Sequence, residues 1–386
     1  MTAAEAFALR GRVVTSTEIV EDAVIEVAGD RIRAVRPFAQ WRPPHAGAAP
    51  PPHRGTVLPG LVDIHNHGGF GHRFDDTDPE SIRAAARQHH RHGSTTLLGS
   101  IVTAEPDVMV AQTAALRQAV ATGDLAGIHI EGPFLSEKRC GAQDPRYLID
   151  PDPALTHRLL AAADGHLRVM TLAPERPGFA AVAQILAESG VVVALGHSDA
   201  GYERFRDALA PAGAAGLVTH LANCLPPLHH RDPGPMAAAL AAAAAGEITV
   251  ELIGDGVHIE SGFGAMVFAT ARHRVALITD AMQAAGLPDG EYRLGPQTVR
   301  VCGGVARVPT GALAGGTATL LRCLRWAVSD CGIGLVDAVR AAATTPAAVI
   351  GATDVGDLRA GMRADAVVVN SDLELRAVLR HGQWVR

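Results

Sequence analysis

From Gly60 to Thr279 the sequence holds eight short apolar runs, each followed by a polar break and separated from the next by a longer segment of helical length, seven such segments in all. The apolar runs are Leu61–His67, Ser94–Val102, Leu125–Glu131, Leu167–Ala173, Val191–His197, Leu217–Leu221, Val250–Ile253 and Val275–Thr279. Between them lie Pro79–Gly93, Pro106–Ala121, Pro153–Ala163, Gly178–Ser189, Tyr202–Ala212, Pro235–Ala245 and Ser261–Arg272. Proline or glycine sits at several of their ends, as helix boundaries require. Apolar runs alternating with helices make βαβ units and a parallel sheet. Eight units predict a closed (β/α)8 TIM barrel.

A barrel of about 250 residues does not use up a chain of 386. Residues 1–57 read as β, with short β-branched runs at Gly11–Thr15, Ala23–Val27 and Arg31–Val35 and a Pro/Ala-rich connection at His45–Pro52. The tail from Gly356 to Val369, and the stretch on to Arg386, read as β as well. The predicted architecture is therefore α/β, a (β/α)8 TIM barrel over 58–356 with a small β-sandwich domain formed by both chain termini, 1–57 and 357–386. A β insertion is expected at about 290–310, where Tyr292-Arg-Leu, Thr298-Val-Arg-Val and Val305-Ala-Arg-Val are separated by Gly295-Pro296 and Gly303-Gly304. Helices are expected at Thr317–Ser329 and Leu335–Ile350.

Composition removes several function classes. A net charge of −6 offers no basic field for nucleic acid. The longest uniform apolar run, Met236–Ala245, is far too short to span a bilayer, so no membrane role is expected. Met1–Glu5 lacks the charged and apolar regions of a signal peptide. Five cysteines (Cys140, Cys224, Cys302, Cys323, Cys331) form an odd set without a CxxC pair, which favours reduced thiols and a cytoplasmic location. Lys138 is the only lysine, and it sits in neither a Schiff-base nor a P-loop context.

In barrel enzymes the active site lies at the C-terminal ends of the strands. Here those ends read His65-Asn-His67, His129-Ile-Glu131, Gly196-His197-Ser198, Thr219-His220-Leu221, Asp255-Gly-Val-His258 and Thr279-Asp280. Each has a dull explanation alone; Asp255, for instance, can simply cap a turn. Six strand ends at one rim are harder to explain by packing, because burying so many ionisable groups without a cation is costly. Clustered histidines and carboxylates with open geometry are what a hydrolytic divalent site needs. His65 and His67 with Asp280 on the adjacent strand can hold one ion. His197 and His220 can hold a second, with Glu131 bridging. Zn, Fe and Mn all suit this donor set, so one or two divalent ions per subunit are expected without a choice among them. His129 and Asp63 are placed behind the ligands.

The motifs together resemble the amidohydrolase superfamily and, within it, the N-acetylglucosamine-6-phosphate deacetylases. The matching segments run from Pro59-Gly-Leu-Val-Asp-Ile-His-Asn-His-Gly68 through His129-Ile-Glu-Gly-Pro-Phe-Leu135, Leu172-Ala-Pro-Glu175 and Gly196-His-Ser-Asp-Ala200. They continue with Thr219-His-Leu221, His229-His-Arg-Asp-Pro-Gly234, Asp255-Gly-Val-His258 and Thr279-Asp-Ala281. The resemblance implies metal-dependent hydrolysis of the N-acetyl group of N-acetylglucosamine 6-phosphate, with a different acetamido sugar or a cyclic amide as the alternative. It implies Glu131, His197 and His220 as ligands of the family's common ion, and His65 and His67 as the mark of two-ion members. It makes Asp280 the general base and acid, and His258 the residue that holds the sugar or polarises the acetyl carbonyl. Arg231 would contact the 6-phosphate across a homodimer interface, helped by backbone amides near Asn223 and Cys224. The chain departs from the family pattern at Ala222, Cys224 and Gly316. It departs also at Gln143, where many relatives carry a histidine that touches the sugar; Gln143 is expected in that place.

Overall fold

The computed structural model describes residues 6–43, 45, 49–210 and 213–386. The leader reading at Met1–Glu5, part of the His45–Pro52 connection and the end of the Tyr202–Ala212 helix therefore lie outside the described residues.

Eight parallel strands form the central sheet: Leu61–Asp63, Ser94–Ile101, Gly127–Glu131, Leu167–Leu172, Val192–Leu195, Ala215–Val218, Thr249–Ile253 and Val275–Ile278. They pair in sequence order. The barrel closes where the first strand meets the eighth, through a bridge between Asn66 and Ala281 and bonds from the His67 amide to Ala281 O (2.7 Å) and from the Asp280 amide to His65 O (3.0 Å). Nearly every strand residue is buried, as helices on the outside require.

The first strand was expected to run to His67, but its regular ladder stops at Asp63. The cause is a side chain. Asp63 Oδ1 accepts the Thr279 amide (3.3 Å), and Oδ2 accepts Thr279 Oγ1 (2.7 Å) and Asn66 Nδ2 (2.9 Å). A buried carboxylate thus replaces a carbonyl in the seam, and burial pushes its pKa up to about 6 against those hydrogen bonds.

Three outer helices begin with an acidic cap and proline at the first turn. Asp78, Glu105 and Asp152 accept the amides of Glu80, Asp107 and Ala154, ahead of Pro79–Arg91, Pro106–Ala121 and Pro153–Ala163. The helix expected from Thr317 starts at Leu320, because Gly316 is extended and pairs with Asp280 and Met282. The Leu335–Val349 segment is helical throughout, with a π-turn at Arg340–Thr344. A three-stranded antiparallel sheet, Gly290–Leu294, Gln297–Cys302 and Val305–Arg307, packs Leu294, Val299, Val301 and Ala306 against Val102 and Met282 at the barrel mouth.

Both termini join one seven-stranded sheet, the small β-sandwich domain: Phe7–Val14, Ile19–Ala28, Arg31–Pro37 and His53–Pro59 from the first part, Ala366–Val369, Leu375–Arg380 and Gln383–Trp384 from the last. Its core holds Leu9, Ile25, Ile32, Val57, Met362 and Val368. The β reading of the tail was too long. Residues 357–365 form turns, entered at Gly356 (φ 85°) and crossed at Gly361 (φ 89°). No helix among the described residues is long and apolar enough to cross a membrane.

Gly60 is the single residue between the last N-terminal strand of the small sheet, His53–Pro59, and the first barrel strand, Leu61–Asp63. Its amide donates to Asp365 O (3.0 Å), and a Cβ there would lie 2.1 Å from Thr95 Oγ1 and 2.7 Å from Asp365 Cβ. Gly60→Ala is expected to cost about 1–3 kcal/mol by overpacking. Calorimetry should show a lower unfolding midpoint than for Gly201→Ala, where a Cβ meets nothing within 4 Å. Equal midpoints would show that this junction tolerates the methyl group.

Candidate metal centre at the barrel mouth

The polar strand ends converge as chemistry requires, and the backbone is bent to do it. His197, His220 and Asp280 all take left-handed φ values, 47°, 26° and 47°, immediately after their strands. Such conformations cost on the order of 1–3 kcal/mol each in non-glycine residues. They turn the side chains from the strand direction into the barrel mouth. Gly196 permits close strand approach, since a Cβ there would meet Thr219 Cβ at 2.8 Å.

Two groups of three buried donors result: His65, His67 and Asp280, and Glu131, His197 and His220. In the first, the Nε2 atoms of His65 and His67 are 3.1 Å apart, and Asp280 Oδ1 lies 3.1 Å from His67 Nε2 and 3.5 Å from His65 Nε2. In the second, Glu131 Oε1 lies 3.0 Å from His197 Nε2 and 2.9 Å from His220 Nε2, which are 3.1 Å from each other. Glu131 Oε2 turns toward the first group, 3.4 Å from His67 Nε2. Ligand atoms around a tetrahedral ion at about 2.0–2.1 Å are separated by about 3.3 Å, so both sets fit a divalent cation.

The electrostatics agree. Burial penalises every charge here, yet opposite neighbours overturn it. His67 is pushed up to about 9 by Asp280 and Glu131 against its burial. His65 is raised well above its ordinary value by Glu251, Asp280 and Glu131, again against burial. Asp280 is held down at about 2, burial opposing and the His65 and His67 charges prevailing; Glu131 is lowered well below its ordinary value, burial again opposing, by the charge of His65 and hydrogen bonds from His197 and His220. Protons on imidazoles thus stand where a divalent ion would otherwise compensate two carboxylates.

The other expected residues fall as follows. Asp255 caps its turn through Oδ1, which accepts the amides of Val257 and His258, and Oδ2 accepts His258 Nδ1 (2.7 Å). Burial opposes a charge on His258, but that hydrogen bond raises its pKa. His258 lines a cavity of about 220 Å³ with Asp280, the metal-group residues His67, Glu131, His197 and His220, and Gln143, Asn223, Cys224, Leu294 and Leu313. Gln143 reaches this cavity, but its amide is engaged: Nε2 donates to Glu131 Oε2 (2.7 Å) and Oε1 accepts the Thr103 amide (2.8 Å). Asn223 donates to His220 O (3.2 Å). His129 lies beneath His65 and is clamped between Ser100 Oγ (3.0 Å) and Thr171 Oγ1 (2.9 Å); burial drives its pKa well down. Asp63 serves the barrel seam described above.

Arg231 lies outside the cavity wall of its own chain, exposed, with Nη1 2.7 Å from His230 Nε2. Sequence reasoning missed Glu251, on the seventh strand, whose Oε2 accepts His65 Nδ1 (3.0 Å). Its signal was an acidic residue inside the apolar run Val250–Ile253, which a fully buried strand does not carry without a partner.

Comparison with known proteins gives a consistent set. A family model described as the amidohydrolase family matches residues 56–385. An N-acetylglucosamine-6-phosphate deacetylase of Lysinibacillus sphaericus is 35% identical over 335 residues, covering 85% of this chain and 84% of the relative. An N-acetylgalactosamine-6-phosphate deacetylase of Escherichia coli O157:H7 is 35% identical over 332 residues, covering 85% and 87%. Among solved structures, N-acetyl-D-glucosamine-6-phosphate deacetylase of Mycobacterium smegmatis, in complex with N-acetyl-D-glucosamine-6-phosphate, superposes with a TM-score of 0.93 at 42% identity and covers 99% of each chain.

Proposed function

The chain belongs to the amidohydrolase family, and from that premise we propose that it is a hydrolase that removes the N-acetyl group of N-acetylglucosamine 6-phosphate, releasing glucosamine 6-phosphate and acetate. The observation that carries this reading is the pair of buried three-donor groups meeting at Glu131, beside a cavity that also presents Asp280 and His258. A second reading, the galacto-configured substrate, is favoured by the equal identity of the Escherichia coli relative.

His65, His67 and Asp280 would hold one divalent ion and Glu131, His197 and His220 another, with Zn, Fe or Mn as the candidates and one or two ions per subunit. An ion bound there supplies Lewis acidity, which makes water acidic near neutral pH and polarises a carbonyl. Asp280, kept ionised, accepts the proton of the attacking water and returns it to the leaving nitrogen. His258, its Nδ1–H committed to Asp255 and its pKa raised by that bond against burial, would donate its Nε2–H to the acetyl oxygen or to the sugar. Gln143 braces Glu131 from the cavity side. On this reading the catalytic unit is 58–356, in a cytoplasmic enzyme.

A sugar phosphate brings a dianion into a cavity whose lining, among the described residues, includes no arginine or lysine. The reading therefore includes a homodimer in which Arg231 reaches the neighbouring active site, with the amides of Asn223 and Cys224 completing the phosphate contact. Acetate release from a panel of gluco- and galacto-configured acetamido sugars, with and without 6-phosphate, tests the substrate. Arg231→Ala should raise KM for the phosphorylated sugar at least tenfold, by loss of a charge-assisted contact, with a smaller change in kcat. An unchanged KM would remove Arg231 from phosphate recognition.

A further inference from the structure

We propose that Glu251 is a positioning residue that ties the two ion sites together through a single carboxylate oxygen. This rests on the reading that both donor groups hold divalent ions.

Glu251 stands in the middle of the seventh barrel strand, Thr249–Ile253, and is 1% exposed. Among the described residues its one ion-pair partner is a histidine, not a lysine or arginine. A carboxylate buried without a fixed cation is expensive, and a leucine would pack here without that cost. What the carboxylate does is specific. Oε2 accepts Nδ1–H of His65 (3.0 Å) and the backbone amide of His220 (3.1 Å). His65 belongs to one donor group and His220 to the other.

Each bond has a consequence. Accepting from Nδ1 keeps that nitrogen protonated and leaves Nε2, 3.1 Å from His67 Nε2, as the ring atom that gives up its proton when the first ion binds. The second bond holds the amide of a residue whose φ of 26° lies in a sparsely populated region. That turn aims the His220 ring at Glu131 Oε1, 2.9 Å away. Among the described residues the other carboxylate oxygen, Oε1, has no hydrogen-bond partner, so both protein contacts of the carboxylate run through Oε2. A shift of His65 toward an ion therefore moves the acceptor that holds His220, and loading one site biases the geometry of the other.

The test is a direct titration of stripped protein with Zn²⁺ and with Mn²⁺ against a chelating indicator, with bound ion counted per chain. H67A and H197A identify which step belongs to which donor group. E251Q, whose amide oxygen is uncharged and a weaker acceptor, should weaken the ion at His65, His67 and Asp280 about 10–100-fold. It should weaken the other ion less, and lower kcat with KM within about twofold. E251L should do more at both steps. Wild-type titration of E251Q at both steps overturns the proposal, and E251Q decides alone if E251L does not fold. If the wild-type protein itself takes up no ion, the metal reading falls and the Glu251 proposal with it; ion uptake with E251Q unaffected sinks only the latter.

Discussion

Asp280→Asn is expected to leave a folded protein that still takes up divalent ion at Glu131, His197 and His220, binds substrate with little change in KM, and turns over about 10²–10⁴-fold more slowly. That range is what a positioned proton-transfer group contributes. The substitution is well suited to isolate the role. Asparagine matches the volume of aspartate and tolerates the left-handed backbone of this position, φ 47°. Its carbonyl oxygen can still face His67 Nε2, 3.1 Å from the present Oδ1. What it cannot do is take a proton from water and hand it on. Single-turnover kinetics with acetate detection, alongside ion content per chain, separate lost chemistry from lost ligand. A kcat near that of the unmodified enzyme would remove Asp280 from proton transfer.

The same residue illustrates what was legible from sequence alone. Fully buried parallel strands announce themselves as apolar runs, so the eight strands and the rim at which they end could be read directly, and with them the seven residues His65, His67, Glu131, His197, His220, His258 and Asp280. Strand lengths were harder. The first run reads as strand from Leu61 to His67, but a side-chain carboxylate at Asp63 takes over the hydrogen bonding that a longer strand would use. The tail was over-read as strand because Gly356-to-Asp365 contains turns that only tertiary contacts define, such as the Gly361 amide on Ile32 O (2.8 Å).

Partner choice was the least legible layer. Gln143 is 12 positions from Glu131 in the chain, and only the folded loop shows that its amide donates to that carboxylate. Glu251 and His65 are 186 positions apart. Sequence could flag the acidic residue in an apolar run, but not the atom it serves. Long-range side-chain pairing depends on barrel register, which the strand pattern does not specify.

Removing the ions should make stability depend steeply on pH in a window where the loaded protein does not. In the ion-free centre His67 has a pKa of about 9, above the ordinary 6.5. A raised imidazole pKa contributes stability that is fully present below 6.5 and is lost as pH rises through 9. The difference of about 2.5 units corresponds to roughly 3 kcal/mol from this one group, and His65 is shifted in the same direction. Asp280 adds the complementary limit: its pKa of about 2 gives stability present above the ordinary 3.8 and lost as pH falls through 2. Ion-free protein should thus lose stability between pH 6.5 and 9. Divalent ions compete with those protons for the imidazole nitrogens and bind more tightly as pH rises. The gap between the unfolding midpoints of loaded and chelator-treated protein is therefore expected to widen across that window, measured by calorimetry at fixed ionic strength. Parallel curves for the two forms would mean that the six donors do not exchange protons for an ion, and would take away the physical basis on which the centre is read.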